Sequence, residues 1–282
     1  MGTAAGGRAE TSLFARSRKR RPGRELSVAF VFGPLAHAAV VVLRPLRAPP
    51  PAVVLMNAAA GVAGAVAVGR GSLLAGALLL QLKTVLDNAD GQLARATGRT
   101  TLVGRYLDTL ADLAVNVAVF AALGAATGRW WLALASLVAL TIVLSVDHNL
   151  EALHRRAHGE EAPAPDEAGA SWALVPLERA YATVFAPQDR LVRRGSEARF
   201  ARLAEGARPS ARTRAAAAYH DSATVTVLAN MGLSTQLAAL GICLALGVPV
   251  AYLWLSLACL AALPALQLRR ERLARRALVA AP

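Results

Sequence analysis

Residues 72–127 read SLLAGALLLQLKTVLDNADGQLARATGRTTLVGRYLDTLADLAVNVAVFAALGAAT. Two apolar runs, 72–93 and 102–127, flank a short polar stretch. Each run is long enough to cross ~30 Å of hydrocarbon as a helix that rises ~1.5 Å per residue. The polar stretch contains Gly98 and three threonines and suits a tight turn. We therefore predict two membrane helices that fold back against each other.

The rest of the chain repeats this pattern of apolar runs bounded by Gly, Pro, Trp or charge. In total there are six candidate spans, at residues 52–69, 72–93, 102–127, 130–146, 223–246 and 248–266. Backbone groups in a bilayer have no water to bond, and the sequence does not alternate as barrel strands do, so all six are predicted to be helices. The predicted fold class is therefore all-α, a polytopic membrane protein with six transmembrane helices.

Composition agrees with a membrane protein and argues against a nucleic-acid partner. A soluble globule of 282 residues could not bury a 55% hydrophobic content against 17% charged residues. The net charge of +13 would by itself suggest nucleic acid as a partner. However, the basic residues are concentrated in the N-terminus, one middle stretch and the last fourteen residues. We attribute this distribution to membrane topology and predict no nucleic-acid binding.

The basic residues also predict the orientation. Six spans place both termini on the side that carries nearly all Lys and Arg, whereas the loops on the other side hold only Arg70 and Arg129. By the positive-inside rule, both termini, the loop 147–222 and the active site face the cytoplasm. Trp130 and Trp131 are expected to anchor the far interface. The predicted location is the cell membrane (inner or plasma membrane), with several passes.

These expectations divide the chain into six regions. They are a disordered basic N-terminus (1–22), an interfacial helix with a linker (23–50), spans one to four (51–146), a cytoplasmic loop (147–222), spans five and six (223–268) and a basic cytoplasmic tail (269–282). Residues 26–43 are apolar enough for a seventh span, but Pro34 and His37 interrupt them, and we predict an amphipathic helix on the cytoplasmic surface. Within the loop we expect a helix at 149–158, a linker at 159–169 and a surface helix at 177–203.

Four aspartates are the only acidic residues between positions 26 and 146: Asp87, Asp90, Asp108 and Asp112. A charged residue at the centre of a membrane helix costs ~2.5–3.5 kcal/mol on insertion scales, so a functional site is expected. Spacings of three and four residues place each pair on one helix face. Gly91 and Ala94 share the face of the first pair, and Gly104 lies one turn before Asp108. These small residues leave space beside the carboxylates.

Four neighbouring carboxylates require cations. Ligation by oxygen alone selects hard divalent ions, and we expect Mg²⁺ or Mn²⁺. Two such ions are the usual means of holding a diphosphate during an in-line phosphoryl displacement, so we expect two. Arg95, a little over two turns after Asp87, is placed to meet a phosphate at the membrane surface. From the residues alone, any of the four acids could act as general base.

The complete motif is Asp87-Asn-Ala-Asp90-Gly91-Gln-Leu-Ala94-Arg95, then eight residues, Gly104, three residues, Asp108, three residues and Asp112. It resembles the signature of the CDP-alcohol phosphatidyltransferase family at every specified position. The resemblance implies a phospholipid-synthesis enzyme that moves a phosphatidyl or related phosphoalcohol group from a CDP-linked donor, commonly CDP-diacylglycerol, to an acceptor hydroxyl and releases CMP. It also implies that the protein is surrounded by membrane lipids and that it forms a homodimer.

The resemblance further implies roles for single residues. Asp87, Asp90 and Asp108 would ligate the metal ions, and Asp112 would take the proton of the attacking hydroxyl while touching the second ion. The CDP site would be lined by Gly91, Ala94, Arg95 and Gly104. The segment Pro50-Pro51-Ala52-Val53-Val54 departs from the family, because many members begin the first span with Pro-Asn followed by Thr. We therefore assign no nucleotide or acceptor contact to this segment.

Several further residues have alternative interpretations. Lys83, one turn before Asp87, would contact substrate, neutralise the acids or reach the interface. His148 and the arginines of the loop would hold an acceptor or an anionic lipid, or only set topology; these arginines are Arg155, Arg156, Arg212 and Arg214. Asn57 and Gln236 are expected to form interhelical hydrogen bonds.

Other functions and several acceptors stay open. One alternative transfers the phosphoamino-alcohol group of a CDP-amino-alcohol to diacylglycerol, with CMP as the leaving group. A metal-binding transporter would place polar groups or broken helices near mid-membrane, and a catalytically inactive scaffold would have lost one of the acids. The motif does not distinguish glycerol 3-phosphate, inositol phosphate, phosphatidylglycerol, serine and diacylglycerol as acceptors.

Overall fold

The computed structural model describes residues 21–160 and 174–279, and these residues form helices without a β-strand. A π-helical turn, Val28–Phe32, precedes the first α-helix. The α-helices are α1 (Gly33–Leu43), α2 (Pro50–Gly69), α3 (Leu73–Thr97), α4 (Leu102–Thr127), α5 (Trp130–Ala157), α6 (Leu174–Val184), α7 (Ala186–Leu203), α8 (Pro209–Tyr219), α9 (Ser222–Ala229), α10 (Leu233–Ala245) and α11 (Pro249–Val279). The all-α prediction is confirmed. Residues 1–20 of the N-terminus predicted to be disordered and residues 161–169 of the predicted linker lie outside the described residues.

Five helical segments among the described residues are long and apolar enough to cross a membrane. They are Pro50–Gly69, Leu102–Thr127, Trp130–Ala157, Pro209–Ala245 and Pro249–Val279. The remaining predicted span, 72–93, is also a helix, α3, but it carries Lys83, Asp87 and Asp90 and is therefore less apolar. The chain thus has the helices of a multi-pass membrane protein, and the exact count of six stays a prediction.

The structure corrects several predicted boundaries. Helix α5 continues through residue 157 and α11 through residue 279, beyond the ends predicted at 146 and 266. The span predicted at 223–246 is two helices, because α9 ends at Ala229 and α10 begins at Leu233. Asn230, at the break, donates a side-chain hydrogen bond to the carbonyl of Arg24 (2.7 Å) and accepts one from the N–H of Leu26 (2.9 Å). The N-terminal segment thereby stabilises a turn that periodicity alone does not predict.

The region predicted as a loop, 147–222, also differs from expectation. The surface helix predicted at 177–203 is two helices, α6 and α7, which meet at Phe185 and are followed by α8. Pro187 lies in the first turn of α7, where its missing N–H costs no hydrogen bond. The loop is therefore more helical than its sequence indicated.

The predicted basic tail, 269–282, is helical through residue 279 as part of α11.

Helices α2, α3 and α4 pack closely because small residues lie where they cross. A Cβ atom built on Gly61 of α2 would lie 2.5 Å from Cγ1 of Val115 on α4. A Cβ atom on Gly76 of α3 would lie 2.5 Å from Cγ2 of Val68 on α2. Any larger residue there would separate the helices, which is the usual role of glycine in membrane helix pairs. This contact brings the acids of α3 and α4 within reach of each other.

The turn between α3 and α4 determines which ends of the two helices meet. Gly98 caps α3 with φ +66°, a left-handed conformation that favours glycine. Thr101 caps α4, since its hydroxyl oxygen accepts a hydrogen bond from the N–H of Gly104 at 3.1 Å. The helices are antiparallel and joined by a short connection, so both pairs of aspartates lie at the same end.

The segment before α1 is bound to α5 through side-chain hydrogen bonds. The guanidinium of Arg21 donates hydrogen bonds to Asp147 and Glu151 of α5, both at 2.7 Å. Helix α1 buries Ala36 and Val40 against α3 and exposes Val41 and Val42. One face of α1 therefore packs on protein, and its interfacial position in the membrane stays a prediction.

Candidate active site

Three of the four aspartates converge on one point. Asp87 and Asp90 of α3 and Asp108 of α4 each offer a carboxylate oxygen, and these oxygens lie within 4.8 Å of one another. Such spacing lets several oxygens reach one ion, because divalent cations take oxygen ligands at about 2.0–2.6 Å. The two helices of the motif thus form a group of acids that could hold a metal.

Asp112 is held differently, by a buried lysine. The ammonium of Lys83 donates a hydrogen bond to Oδ1 of Asp112 at 2.5 Å and another to Oδ1 of Asp87 at 3.0 Å. The side chain of Lys83 is 0% exposed. It therefore lies beneath the acids and connects α3 to α4. A contact between Lys83 and substrate stays a prediction, while its neutralising contact with the acids is present.

Asp87 is also tied to α2. The side-chain amide of Asn57 donates a hydrogen bond to Oδ1 of Asp87 at 2.9 Å, so Asn57 forms the interhelical bond expected of it. Gln236 does the same between α10 and α11, since its amide lies 3.3 Å from the sulfur of Cys259. The oxygen Oδ1 of Asp87 thus accepts two hydrogen bonds, from Asn57 and Lys83. These bonds orient the carboxylate toward Asp90 and Asp108.

The acids fit a divalent cation. Oδ2 of Asp90 and Oδ1 of Asp108 are buried and accept no hydrogen bond from any described residue. Buried polar atoms are nearly always paired, so two unpaired carboxylate oxygens in one cluster call for a partner. A hard cation such as Mg²⁺ or Mn²⁺ suits this cluster, which contains oxygen ligands and neither His nor Cys.

A cavity of about 1310 Å³ adjoins the acids. The motif residues that line it are Asp90, Gly91, Ala94, Arg95, Gly104, Asp108 and Asp112. All four residues predicted to contact CDP are among them, whereas Asp87 and Lys83 are not. The volume exceeds that of typical small-molecule sites, about 300–1,000 Å³, and leaves room for a nucleotide together with part of a lipid.

Gly91 allows Arg95 to lie along the cavity wall. A Cβ atom on Gly91 would lie 3.2 Å from Nη1 of Arg95 and 3.4 Å from Nη2. The guanidinium is therefore folded back over the glycine, one turn earlier on the same helix. A larger residue at position 91 would push this charge away from the acids.

The C-terminal part of α5 contributes basic residues to the lining of the cavity. Of the residues proposed to meet an acceptor, His148, Arg155 and Arg156 line it, whereas Arg212 and Arg214 do not. Arg155 also donates a hydrogen bond to Glu151 at 2.9 Å. Part of its charge is therefore used within the protein. The predicted roles of these residues in substrate binding stay predictions.

Helices α6 and α7 complete this wall through Tyr181 and Asp189. The Tyr181 hydroxyl donates a hydrogen bond to Oδ2 of Asp189 at 3.0 Å, and Oδ1 of Asp189 accepts one from Asn149 of α5 at 2.6 Å. The ring of Tyr181 lies 5.1 Å from that of Tyr106 on α4. Burial, with the neighbouring Asp189 charge, raises the pKa of Tyr181 to about 12, so its hydroxyl stays a donor at neutral pH. Sequence reasoning missed this contact because it joins distant segments.

Asn116 was also missed. It lies four residues after Asp112 and lines the cavity one helical turn deeper. The sequence contained a signal, since a polar residue in a membrane span on the same helix face as a candidate catalytic acid is uncommon.

Comparison with known proteins agrees with this geometry. Residues 47–175 match the family model described as CDP-alcohol phosphatidyltransferase. No curated protein and no solved structure matches the chain. The matched segment spans α2 to α5 and includes all four aspartates. The family contains transferases of phospholipid synthesis that move a phosphate-containing group from a CDP-alcohol. Residues 47–175 of this chain therefore form a domain of the CDP-alcohol phosphatidyltransferase family.

Proposed function

We propose that the protein moves a phosphatidyl group, or a related phosphoalcohol group, from a CDP-linked lipid to an acceptor hydroxyl and releases CMP. The donor that we propose is CDP-diacylglycerol. The observation that carries the proposal is the convergence of three carboxylates, two of which, Asp90 and Asp108, line a cavity together with the rest of the motif. Phosphoryl transfer depends mainly on positioning and on neutralising charge, which such an arrangement supports.

The proposed metal site uses two ions, Mg²⁺ or Mn²⁺. Asp87, Asp90 and Asp108 would hold them, with Asp112 in contact with the second. Bound ions would neutralise the diphosphate. Gly91, Ala94, Arg95 and Gly104 would contact the CDP moiety, with the Arg95 guanidinium against a phosphate.

Asp112 is the proposed general base. It takes the proton of the acceptor hydroxyl while the acceptor oxygen forms a bond to the phosphorus that carries the alcohol group. The bond between this phosphorus and the bridging oxygen of CMP breaks, and CMP leaves with the electron pair. Lys83 supports this step because its hydrogen bond holds Asp112 in place. An acid that is held before substrate binds loses less entropy in the reaction.

The proposal is tested by measuring CMP release from CDP-diacylglycerol in nanodiscs. Purified protein should release CMP only with an acceptor and with Mg²⁺ or Mn²⁺. Asp108→Asn should raise the Mn²⁺ concentration for half-maximal activity by at least about tenfold, because a neutral amide replaces a charged ligand. Asp221→Asn is the control, since Asp221 caps α9 and does not line the cavity. Full activity in the presence of a chelator would contradict the metal requirement.

We also propose that the active site and both termini face the cytoplasm. The support is the distribution of Lys and Arg, together with the exposed Trp130 and Trp131 at the opposite end of α5. In a variant without Cys243 and Cys259, an impermeant thiol reagent added to intact cells should label Trp131→Cys and spare Glu205→Cys. The reverse pattern would refute this orientation. The homodimer stays a prediction.

A further inference from the structure

A buried amide that forms no hydrogen bond with the described residues lies in the wall of the cavity. Asn116 is 6% exposed, and its side chain makes no hydrogen bond to any described residue. Other amides in the membrane helices have partners: Asn57 bonds Asp87, and Gln236 lies within hydrogen-bond distance of Cys259. A polar side chain is kept in a membrane helix where it has a partner or a function. Asn116 is therefore the exception that needs an explanation.

The position of Asn116 indicates what it meets. It is one turn beyond Asp112 on the same face of α4, a rise of about 6 Å toward the interior of the bilayer. Thr141 of α5 also lines the cavity, and its hydroxyl already donates to the carbonyl of Leu137 at 2.8 Å. Its oxygen is then left as an acceptor. Leu113 and Leu144 also line the cavity, so its wall combines apolar side chains with the uncharged polar groups of Asn116 and Thr141.

We propose that Asn116 binds a second hydroxyl group of the acceptor, beside the hydroxyl that Asp112 deprotonates. This inference rests on the proposed function and narrows the class of acceptor. Adjacent hydroxyls of a diol lie close enough together for one to reach Asp112 while the other reaches the next turn of the helix. A primary amide suits this role because it both donates and accepts a hydrogen bond. The site therefore selects an acceptor with neighbouring hydroxyls over one with a single hydroxyl.

The first part of the test compares acceptors with the full-length protein in nanodiscs that contain CDP-diacylglycerol. Glycerol 3-phosphate, inositol phosphate and phosphatidylglycerol carry adjacent hydroxyls, whereas serine and diacylglycerol carry one. CMP release should be supported by a member of the first group. Turnover of the second group alone overturns the inference and leaves the transferase activity standing. No CMP release with any of the five overturns both.

The second part removes the hydroxyl from the substrate and the amide from the protein. If glycerol 3-phosphate is the acceptor, it is compared with 3-hydroxypropyl phosphate, which keeps the reacting hydroxyl and lacks its neighbour. If inositol phosphate is the acceptor, it is compared with its deoxy analogue at the neighbouring carbon. Phosphatidylglycerol is compared in the same way with the corresponding deoxy lipid. The wild-type protein should prefer the diol by at least about tenfold in kcat/KM, the effect of one hydrogen bond. Asn116→Leu should abolish this preference: its kcat/KM for the diol should fall about tenfold, while its kcat/KM for the analogue should change less than about twofold.

Controls separate binding from folding. Gln236→Leu removes a buried amide outside the cavity and should keep the wild-type preference. Asn116→Ala serves if Asn116→Leu does not fold, and it should show the same loss of preference. An undiminished preference in either folded Asn116 variant overturns the inference. A loss that is equal for both acceptors also overturns it, because it would indicate a merely structural role.

Discussion

Replacing Asp112 with asparagine should lower the rate of CMP release by about 10²–10⁴-fold, the usual contribution of general base catalysis. Asparagine keeps the size of the side chain and can still contact Lys83 through its carbonyl oxygen, so the cavity should keep its shape. It cannot accept the acceptor proton. The measurement is single-turnover CMP release in nanodiscs at saturating Mn²⁺, which separates chemistry from binding.

The matched control for Asp112→Asn is again Asp221→Asn, which removes a negative charge outside the cavity. It should keep the wild-type rate. Rapid single-turnover release by Asp112→Asn would contradict the assignment of the base, although the transferase reaction would still stand. The neighbouring acids would then be the next candidates, since the residues alone allow any of them.

Lys83→Met should lower the stability of the protein by about 3–5 kcal/mol, because it removes one partner of a buried ion pair and leaves Asp87 and Asp112 without their cation. Methionine fills a similar volume, so the loss is mainly electrostatic. Adding Mn²⁺ should restore part of the stability, since an ion that binds the folded acids stabilises them by mass action. The measurement is the thermal unfolding midpoint in detergent, with and without Mn²⁺.

Leu82→Met is the control for Lys83→Met, because Leu82 is the preceding residue on α3 and its side chain is exposed on the outer surface. It should unfold at nearly the wild-type temperature and respond to Mn²⁺ as the wild type does. An unchanged midpoint in Lys83→Met would show that the lysine does not stabilise the acids. A lowered midpoint without any recovery in Mn²⁺ would separate Lys83 from the metal site.

The acid motif was predictable because its spacing is a local property of helices. Residues three or four apart share a helix face whatever surrounds them, so each of the two pairs could be placed on one face from the sequence. The turn that joins the pairs was predictable for the same reason, as Gly98 and Thr101 act on their immediate neighbours. The convergence of Asp87, Asp90 and Asp108 follows from these local features together with antiparallel packing.

Breaks within the later helices were not predictable. The turn at Asn230 depends on bonds to Arg24 and Leu26, more than two hundred residues away. The wall formed by Tyr181 and Asp189 depends in the same way on Asn149 and Tyr106. Hydrophobic periodicity reports which face of a segment is apolar and contains no information about distant polar partners.

The sequence by itself determined the fold class, the helices that carry the acids, and the chemistry those acids allow, because apolar run length and residue spacing act over a few turns. Only the tertiary structure decided that Lys83 and Asn57 bind the acids, and that Asn116 lines the cavity without a hydrogen bond to any residue in the described part of the chain. These relations depend on how helices pack across space. Packing is determined by the fit of whole surfaces, such as Gly61 against Val115, which no single segment specifies.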